Sequence, residues 1–391
     1  MPPLPRKARL TVESTLRTLR YRFALPLSNK AIWAVEPLLH DSVFWAVTEN
    51  NAALVRVVRD GDKHGALSAQ LQDRLGAVVD VTELPDTSWE DHLVKEDRAV
   101  LTLIGPADTV DYASLGARLQ SSQVRLAGFR FLDGPAHREP SLEYYFHADD
   151  GLKLLKSQIE PLAQQSGVDF TLLPAASKRR RRRLLAFDMD STLIQCEVID
   201  ELAAEAGVGA EVAAVTARAM RGELDFQSSF RERMRQLAGL PESALVAVRD
   251  RLPMVDGVDR LFKELRAQGH FTVILSGGFD YFARHLQQRL GISEVHANTL
   301  ELRDGALTGE VNGPIVDGER KLQLLQEIAT REGFAIEDTV AVGDGANDLP
   351  MIGGAGLGVA FHAKPLVRER SPAAVSMAGL DALLAVLGEP G

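Results

Sequence analysis

The stretch Leu184-Leu-Ala-Phe187-Asp188-Met-Asp190-Ser-Thr-Leu193 sets the architecture of the second half of the chain. Four apolar residues without alternation read as a strand buried on both faces, and that strand ends in two acids. The arrangement recurs twice. Phe271–Leu275 leads into Ser276-Gly277-Gly278, and Thr339–Val342 leads into Gly343-Asp344-Gly-Ala-Asn347-Asp348. Helical segments follow each strand, so the pattern from Leu184 onward predicts an α/β fold with a mostly parallel, Rossmann-like sheet. Ligands of such sheets bind where the carboxyl ends of the strands meet their loops. There the sequence delivers acids, a hydroxyl and flexible glycines.

Asp188 and Asp190 stand two apart, which places their side chains on one side if strand geometry continues. Carboxylates that close repel unless a cation or a shared proton lies between them. Asp344 arrives from another strand as a third oxygen donor, and an all-oxygen set with room for water suits Mg²⁺ better than zinc. Ser276 and the N–H groups around Gly277 and Gly278 are candidate phosphate contacts. Lys321, read as opening a helix over Lys321–Ile328, offers a positive charge against a transferring group. An aspartate that attacks phosphorus and is later freed by water fits this assembly.

These segments, in this order and spacing, resemble the four motifs of the haloacid dehalogenase-like (HAD) phosphatases. The resemblance implies Asp188 as nucleophile and Asp190 as general acid and then base. It also implies Mg²⁺ held by Asp188, the backbone carbonyl of Asp190 and Asp344, with Asp348 supporting that shell.

Between the first two strands lies a helix-rich insert, about 198–252, expected as a cap over the strand ends. If Phe226 opens a helix, then Phe226, Phe230, Arg233 and Leu237 share one face, which puts Arg233 on an apolar stripe. A guanidinium there calls for a buried anion, and its fork matches a carboxylate. Glu197, nine residues after Asp188, is a candidate for an ammonium group, with Asp200 and Glu201 as rivals. Mg²⁺ for phosphate, Arg233 for carboxylate and Glu197 for ammonium together describe a phosphorylated amino acid, of which O-phospho-L-serine is the smallest good fit. The span from about Leu184 to Leu387 is similar to the phosphoserine phosphatases. That likeness implies Glu197 and Arg233 as contacts of the substrate's amino and carboxylate groups. It implies Met220, Phe226, Gly277 and Asn347 as further pocket positions. Met189 stands where many relatives carry Phe.

The first half is less explicit. Residues 1–95 are compatible with a small α+β unit and carry no motif. Over 96–176 the pattern reads βαββαβ: strands at Ala99–Ile104, Val124–Leu132, Leu142–His147 and Val168–Leu173, with helices near Tyr112–Gln120 and Leu152–Gln165, the latter kinked at Pro161. It resembles the ACT regulatory domains. By that analogy L-serine is a candidate effector and a homodimer a candidate assembly. The run Lys178–Arg183 is expected as a solvated linker over 177–183. The arginines before residue 23 are expected as a frayed basic tail, with an organelle transit peptide as the alternative.

The chain has 391 residues, 45% hydrophobic and 25% charged, an ordinary globular balance. A net charge of −10 weighs against a nucleic-acid binder. The single cysteine, Cys196, excludes an internal disulfide. No apolar run has the length of a membrane span. A cytoplasmic enzyme is the expectation, hydrolysing phosphoserine in L-serine biosynthesis. The alternatives are the same chemistry on another phosphorylated amino acid or a phosphoprotein, or an amino-acid-binding regulatory protein.

Overall fold

A computed structural model describes residues 16–23, 31, 44–48, 53–59, 64–75, 78–84, 98–105, 124–132, 141–147 and 152–388. The chain forms two compact units, one from residues up to Arg180 together with those from Leu384 onward, the other from Arg181 to Leu383.

The first unit contains β1 (Leu16–Phe23), β2 (Phe44–Thr48), β3 (Ala53–Arg59), α1 (His64–Leu75), β4 (Val78–Leu84), β5 (Arg98–Ile104), β6 (Leu126–Leu132), β7 (Ser141–His147), α2 (Leu152–Ser166), β8 (Asp169–Pro174) and α3 (Ala175–Arg179). All eight strands belong to one sheet, in the order β4-β1-β3-β2-β6-β7-β5-β8. Each half thus has its fourth, first, third and second strands side by side, and the halves join edge to edge where Trp45 faces Phe129. Leu19, Tyr21, Trp45, Leu101, Tyr144 and Phe146 build the core on one face. Helix α2 runs through Pro161 without interruption. The helix expected near Tyr112–Gln120 lies outside the described residues.

Two expectations are corrected here. Leu16–Phe23 is not a frayed tail: β1 pairs with both β3 and β4, and Leu19, Tyr21 and Phe23 are buried. Apolar residues alternate with Arg20 and Arg22, the period of a half-buried strand, and that period outweighs the charge count. Nor is the basic run simply solvated. Lys178 is buried, 3.0 Å from a Glu143 carboxylate oxygen, and donates to Thr102 Oγ1 at 3.1 Å and to the Ala385 carbonyl. Burial raises the Glu143 pKa, but the positive charges of Lys178 and Arg130 hold it below the usual range. Arg182 is buried too and donates to the Glu337 carbonyl.

The second unit follows as β9 (Leu184–Phe187), α4 (Val198–Ala206), α5 (Gly209–Met220), α6 (Phe226–Gln236), α7 (Glu242–Asp250), α8 (Val258–Ala267), β10 (Phe271–Phe279), α9 (Asp280–Leu290), β11 (Glu294–Arg303), β12 (Ala306–Asn312), α10 (Gly318–Arg331), β13 (Thr339–Gly343), α11 (Leu349–Gly354), β14 (Leu357–Phe361), α12 (Pro365–Arg370) and β15 (Ala373–Val375). The sheet order is β12-β11-β10-β9-β13-β14-β15, parallel from β11 to β15, with β12 antiparallel at one edge. All four residues of β9 are fully buried, as an unalternating central strand requires. The chain crosses from β9 to β10 on one side and to β13 on the other, so the order reverses at β9. The crevice at such a reversal is the expected ligand site. Helices α4–α7 form the insert between β9 and β10. Its α6–α7 turn is fixed to β12: Gly239 N donates to Leu307 O at 2.8 Å, and Leu307 N to Leu240 O at 2.9 Å.

Candidate active site

Asp188 directly follows β9, and its N–H donates to Val342 O of β13 at 2.9 Å, which fixes the backbone at the strand reversal. The loop then folds on itself, with Leu193 N donating to Met189 O at 2.8 Å and Ser191 in the left-handed region at φ 58°. Asp188 is 5% exposed and Lys321 is fully buried. Lys321 Nζ lies 2.9 Å from Asp188 Oδ1 and 2.7 Å from Asp348 Oδ1. Asp348 Oδ2 in turn accepts from Asp344 N at 3.1 Å and Gly345 N at 3.0 Å. Asp348 therefore holds Lys321 with one oxygen and shapes its own loop with the other. Lys321 does not open its helix: α10 starts at Gly318, and the Asp317 carboxylate accepts from Arg320 N at 3.0 Å, the N-cap geometry an Asp at this position favours.

Asp188, Asp344 and Asp348 each offer a carboxylate oxygen within 4.8 Å of the others. Burial, followed by the charge of Asp348, pushes Asp188 up to about 8 despite Lys321. Burial and Asp348 likewise push Asp344 up to about 7. Burial, with Glu197 and Asp188 nearby, raises Asp190 well above the carboxylate range. Burial lowers the Lys321 pKa, but the flanking Asp188 and Asp348 charges outweigh it and leave it raised. One buried ammonium among several carboxylates leaves net negative charge, which a cation or protons must offset. The oxygen-only donors fit a hard divalent ion.

Ser276 and Gly278 lie within β10, which runs to Phe279. Ser276 Oγ is fully buried and accepts from Gly278 N at 2.9 Å. A Cβ on Gly278 would stand 2.7 Å from Asp190 Oδ2, and one on Gly277 3.1 Å from the Phe226 ring. A side chain at Gly278 would force Asp190 or Met189 to shift, and one at Gly277 would press on the Phe226 ring. Phe226 does open α6, where the Asp225 carboxylate accepts from Ser228 N at 2.7 Å, and its ring stacks on Phe230 at 6.1 Å. Arg233 shares that helix. Its Nε is buried without a hydrogen-bond partner. Burial lowers its pKa while Asp200, Glu197 and Asp190 raise it, so the guanidinium lies in the field of those acids.

Glu197 is exposed at the N-cap of α4 and accepts from Ser191 Oγ at 3.1 Å. Its rival Glu201 is paired with Arg251 at 3.2 Å. Asn347 sits on the loop that carries Asp344 and Asp348. Met220, at the end of α5, is 79% exposed.

Two contributors carried no sequence signal. Asn298, 2% exposed on β11, donates to Gly277 O at 2.8 Å and accepts from Val316 N at 2.8 Å, tying the Ser276 loop to the segment before α10. Gln227 of the cap donates to Asp317 Oδ2 at 2.9 Å, linking the cap to the start of the helix that bears Lys321. An isolated Asn or Gln has no spacing that marks it in advance.

A central strand ending in Asp188, a lysine and aspartates around it, and a helical insert after that strand define a hydrolase of the haloacid dehalogenase-like class. The family model described as haloacid dehalogenase-like hydrolase matches residues 185–353. Within that class, the chain belongs to the phosphoserine phosphatase family. It is 42% identical over 236 residues to the phosphoserine phosphatase of Archaeoglobus fulgidus, covering 60% of this chain and 69% of that one. It is 42% identical over 295 residues to that of Streptomyces coelicolor, covering 74% and 70%. A crystal structure of a probable phosphoserine phosphatase from Vibrio cholerae superposes with a TM-score of 0.62 at 35% identity, over 78% of this chain and 90% of that one. Among the described residues no helix is long and apolar enough to cross a membrane.

Proposed function

We propose that the chain hydrolyses O-phospho-L-serine to L-serine and phosphate, the last step of L-serine biosynthesis, with Asp188 as nucleophile and Mg²⁺ as cofactor. The observation that carries the substrate is Arg233. Its Nε is buried in the cap, has no acceptor, and lies in the same field of acids as Glu197 and Asp190. A buried guanidinium donor without a partner is poised for an incoming carboxylate. Glu197 then receives the ammonium group, and the apolar ring of Phe226 over Gly277 walls the side between them.

Asp188, Asp344 and the Asp190 carbonyl would hold Mg²⁺, with Asp348 orienting the loop. When bound, the ion neutralises phosphate oxygens so that an anionic carboxylate can approach. Lys321 orients Asp188 through the 2.9 Å contact and adds positive charge beside the reacting phosphorus. Ser276 Oγ, oriented by the Gly278 N–H, and the Gly277 N–H hold phosphate oxygens. Asp188 attacks phosphorus while Asp190, protonated because its pKa is raised, gives its proton to the departing serine oxygen. An aspartyl-phosphate on Asp188 remains. Asp190, now ionised, takes a proton from water, which attacks that phosphorus and frees Asp188.

For the first unit we extend the proposal to a pair of ACT-like halves with L-serine as effector and a homodimer as assembly. The repeated strand order of the two halves supports it. The test of the substrate is a panel of O-phosphoserine, O-phosphothreonine, phosphohomoserine and O-phosphoethanolamine with Mg²⁺. We expect the highest kcat/KM on O-phosphoserine. Equal values across the panel would remove phosphoserine as the substrate while leaving the phosphatase chemistry standing.

A further inference from the structure

At the amino-terminal ends of the central strands, the edge of the sheet opposite Asp188, lies a cavity of about 120 Å³ lined by Arg181, Arg182, Arg183, Gln268, Gly269, His270 and Phe334. It is built by the residues entering β9, the α8–β10 turn and the end of the segment after α10. Backbone hydrogen bonds hold these together: Arg183 N donates to Asp338 O at 2.8 Å, and Phe271 N to Arg183 O at 2.9 Å. No carboxylate lines the cavity. Arg182 is buried and donates to the Glu337 carbonyl. The exposed Arg183 spreads its guanidinium over the Phe334 ring, 4.3 Å from the centroid, which orients it without neutralising it. Arg181 is exposed, and neither it nor Arg183 forms an ion pair among the described residues. The His270 Nε2 is engaged with Gln268 Oε1 at 3.0 Å, which fixes the imidazole in the wall.

Three consecutive arginines around one hollow that no carboxylate lines leave net positive charge there, which an anion would offset. From the geometry we propose that this cavity is a second, non-catalytic oxyanion site and that it takes inorganic phosphate. Size decides the class of ligand. At about 30 Å³ per water, the hollow has room for roughly four waters. That suits a tetrahedral anion with a water beside it and is too small for a nucleotide, whose pockets start at about 300 Å³. Charge narrows it further: two guanidinium groups without acid partners match a dianion, and their planar forks match its paired oxygens. The four-residue β9 separates Arg183 from Asp188, so an anion here does not compete with one at the catalytic edge.

The test is calorimetric titration of the full chain with inorganic phosphate at constant ionic strength, in wild type, Arg181→Gln and Arg181→Gln/Arg183→Gln. Wild type is expected to bind one equivalent more than the double variant. Arg181→Gln, which removes a side chain with no structural partner, should weaken that equivalent at least tenfold. Sulfate should displace phosphate from it and acetate should not. Turnover at the catalytic edge should stay within twofold in both variants. Identical isotherms for wild type and Arg181→Gln, or the same stoichiometry in wild type and double variant, would overturn the assignment.

Discussion

Replacing Arg233 by methionine separates a substrate contact from a structural one. Methionine keeps the length and apolar stem of the side chain and deletes the fork. In the free protein Arg233 Nε is buried with no acceptor. A buried donor in that state costs about 1–3 kcal/mol, so its removal should leave stability unchanged or raise it. In the complex the fork gains charge-assisted hydrogen bonds to the substrate carboxylate, each contributing about 1.5–3 kcal/mol. Allowing for the water that replaces part of them, the loss is roughly 2–4 kcal/mol, or about 30- to 700-fold in kcat/KM at ~1.4 kcal/mol per factor of ten. The assay compares kcat/KM on O-phosphoserine with that on O-phosphoethanolamine, which lacks the carboxylate, alongside the urea midpoint of the variant. The loss should fall on O-phosphoserine alone. An equal loss on both substrates, or a destabilisation above about 2 kcal/mol, would show that Arg233 supports the cap instead of reading the substrate.

Gly278→Ala should lower kcat at least tenfold while the fold persists, because the new Cβ lands 2.7 Å from Asp190 Oδ2 and 2.8 Å from Met189 Cε. A kcat equal to wild type would show that Asp190 can shift without consequence. The second expectation concerns pH in the cation-free protein. Asp188 and Asp344, raised to about 8 and about 7, hold protons in the folded state that the unfolded chain releases near pH ~4. The folded state therefore binds more protons between about pH 4 and 8, and stability falls as pH rises through that window, by at most ~1.4 kcal/mol per pH unit per group. With a chelator the melting temperature should decline from pH 5 to 8, and saturating Mg²⁺ should abolish the decline. A flat profile with the chelator would refute the electrostatic account of the cluster.

The parallel half was legible because its signals are local. Leu184–Phe187, Phe271–Leu275 and Thr339–Val342 are uninterrupted apolar runs, and each ends in residues whose only common purpose is chemistry. The line from Phe226 to Arg233 marked one face of the cap helix in the same way, whereas the Asp225 cap that starts it emerges only in the structure. The first half was harder because its order depends on pairing between distant segments. The union of β2 with β6 joins residues some eighty apart, and nothing in Phe44–Thr48 or Leu126–Leu132 marks the partner. β1 was hidden by a count of arginines that ignored their alternation with Leu19, Tyr21 and Phe23. The basic run misled for a related reason: charge predicts solvent, yet Lys178 finds Glu143, an acid thirty-five positions earlier in the chain. At the site, the acids were legible as a set, whereas Asn298 and Gln227 act through single hydrogen bonds that no spacing announces.

The most direct test of the central claim is to catch the phosphoryl group on the protein. Wild-type chain mixed with Mg²⁺ and O-phospho-L-serine, quenched in acid within a turnover and digested, should carry the phosphoryl group on the peptide containing Asp188. Asp188→Asn should carry none and release no L-serine. Phosphate on another residue, or wild-type turnover by Asp188→Asn, would contradict the account.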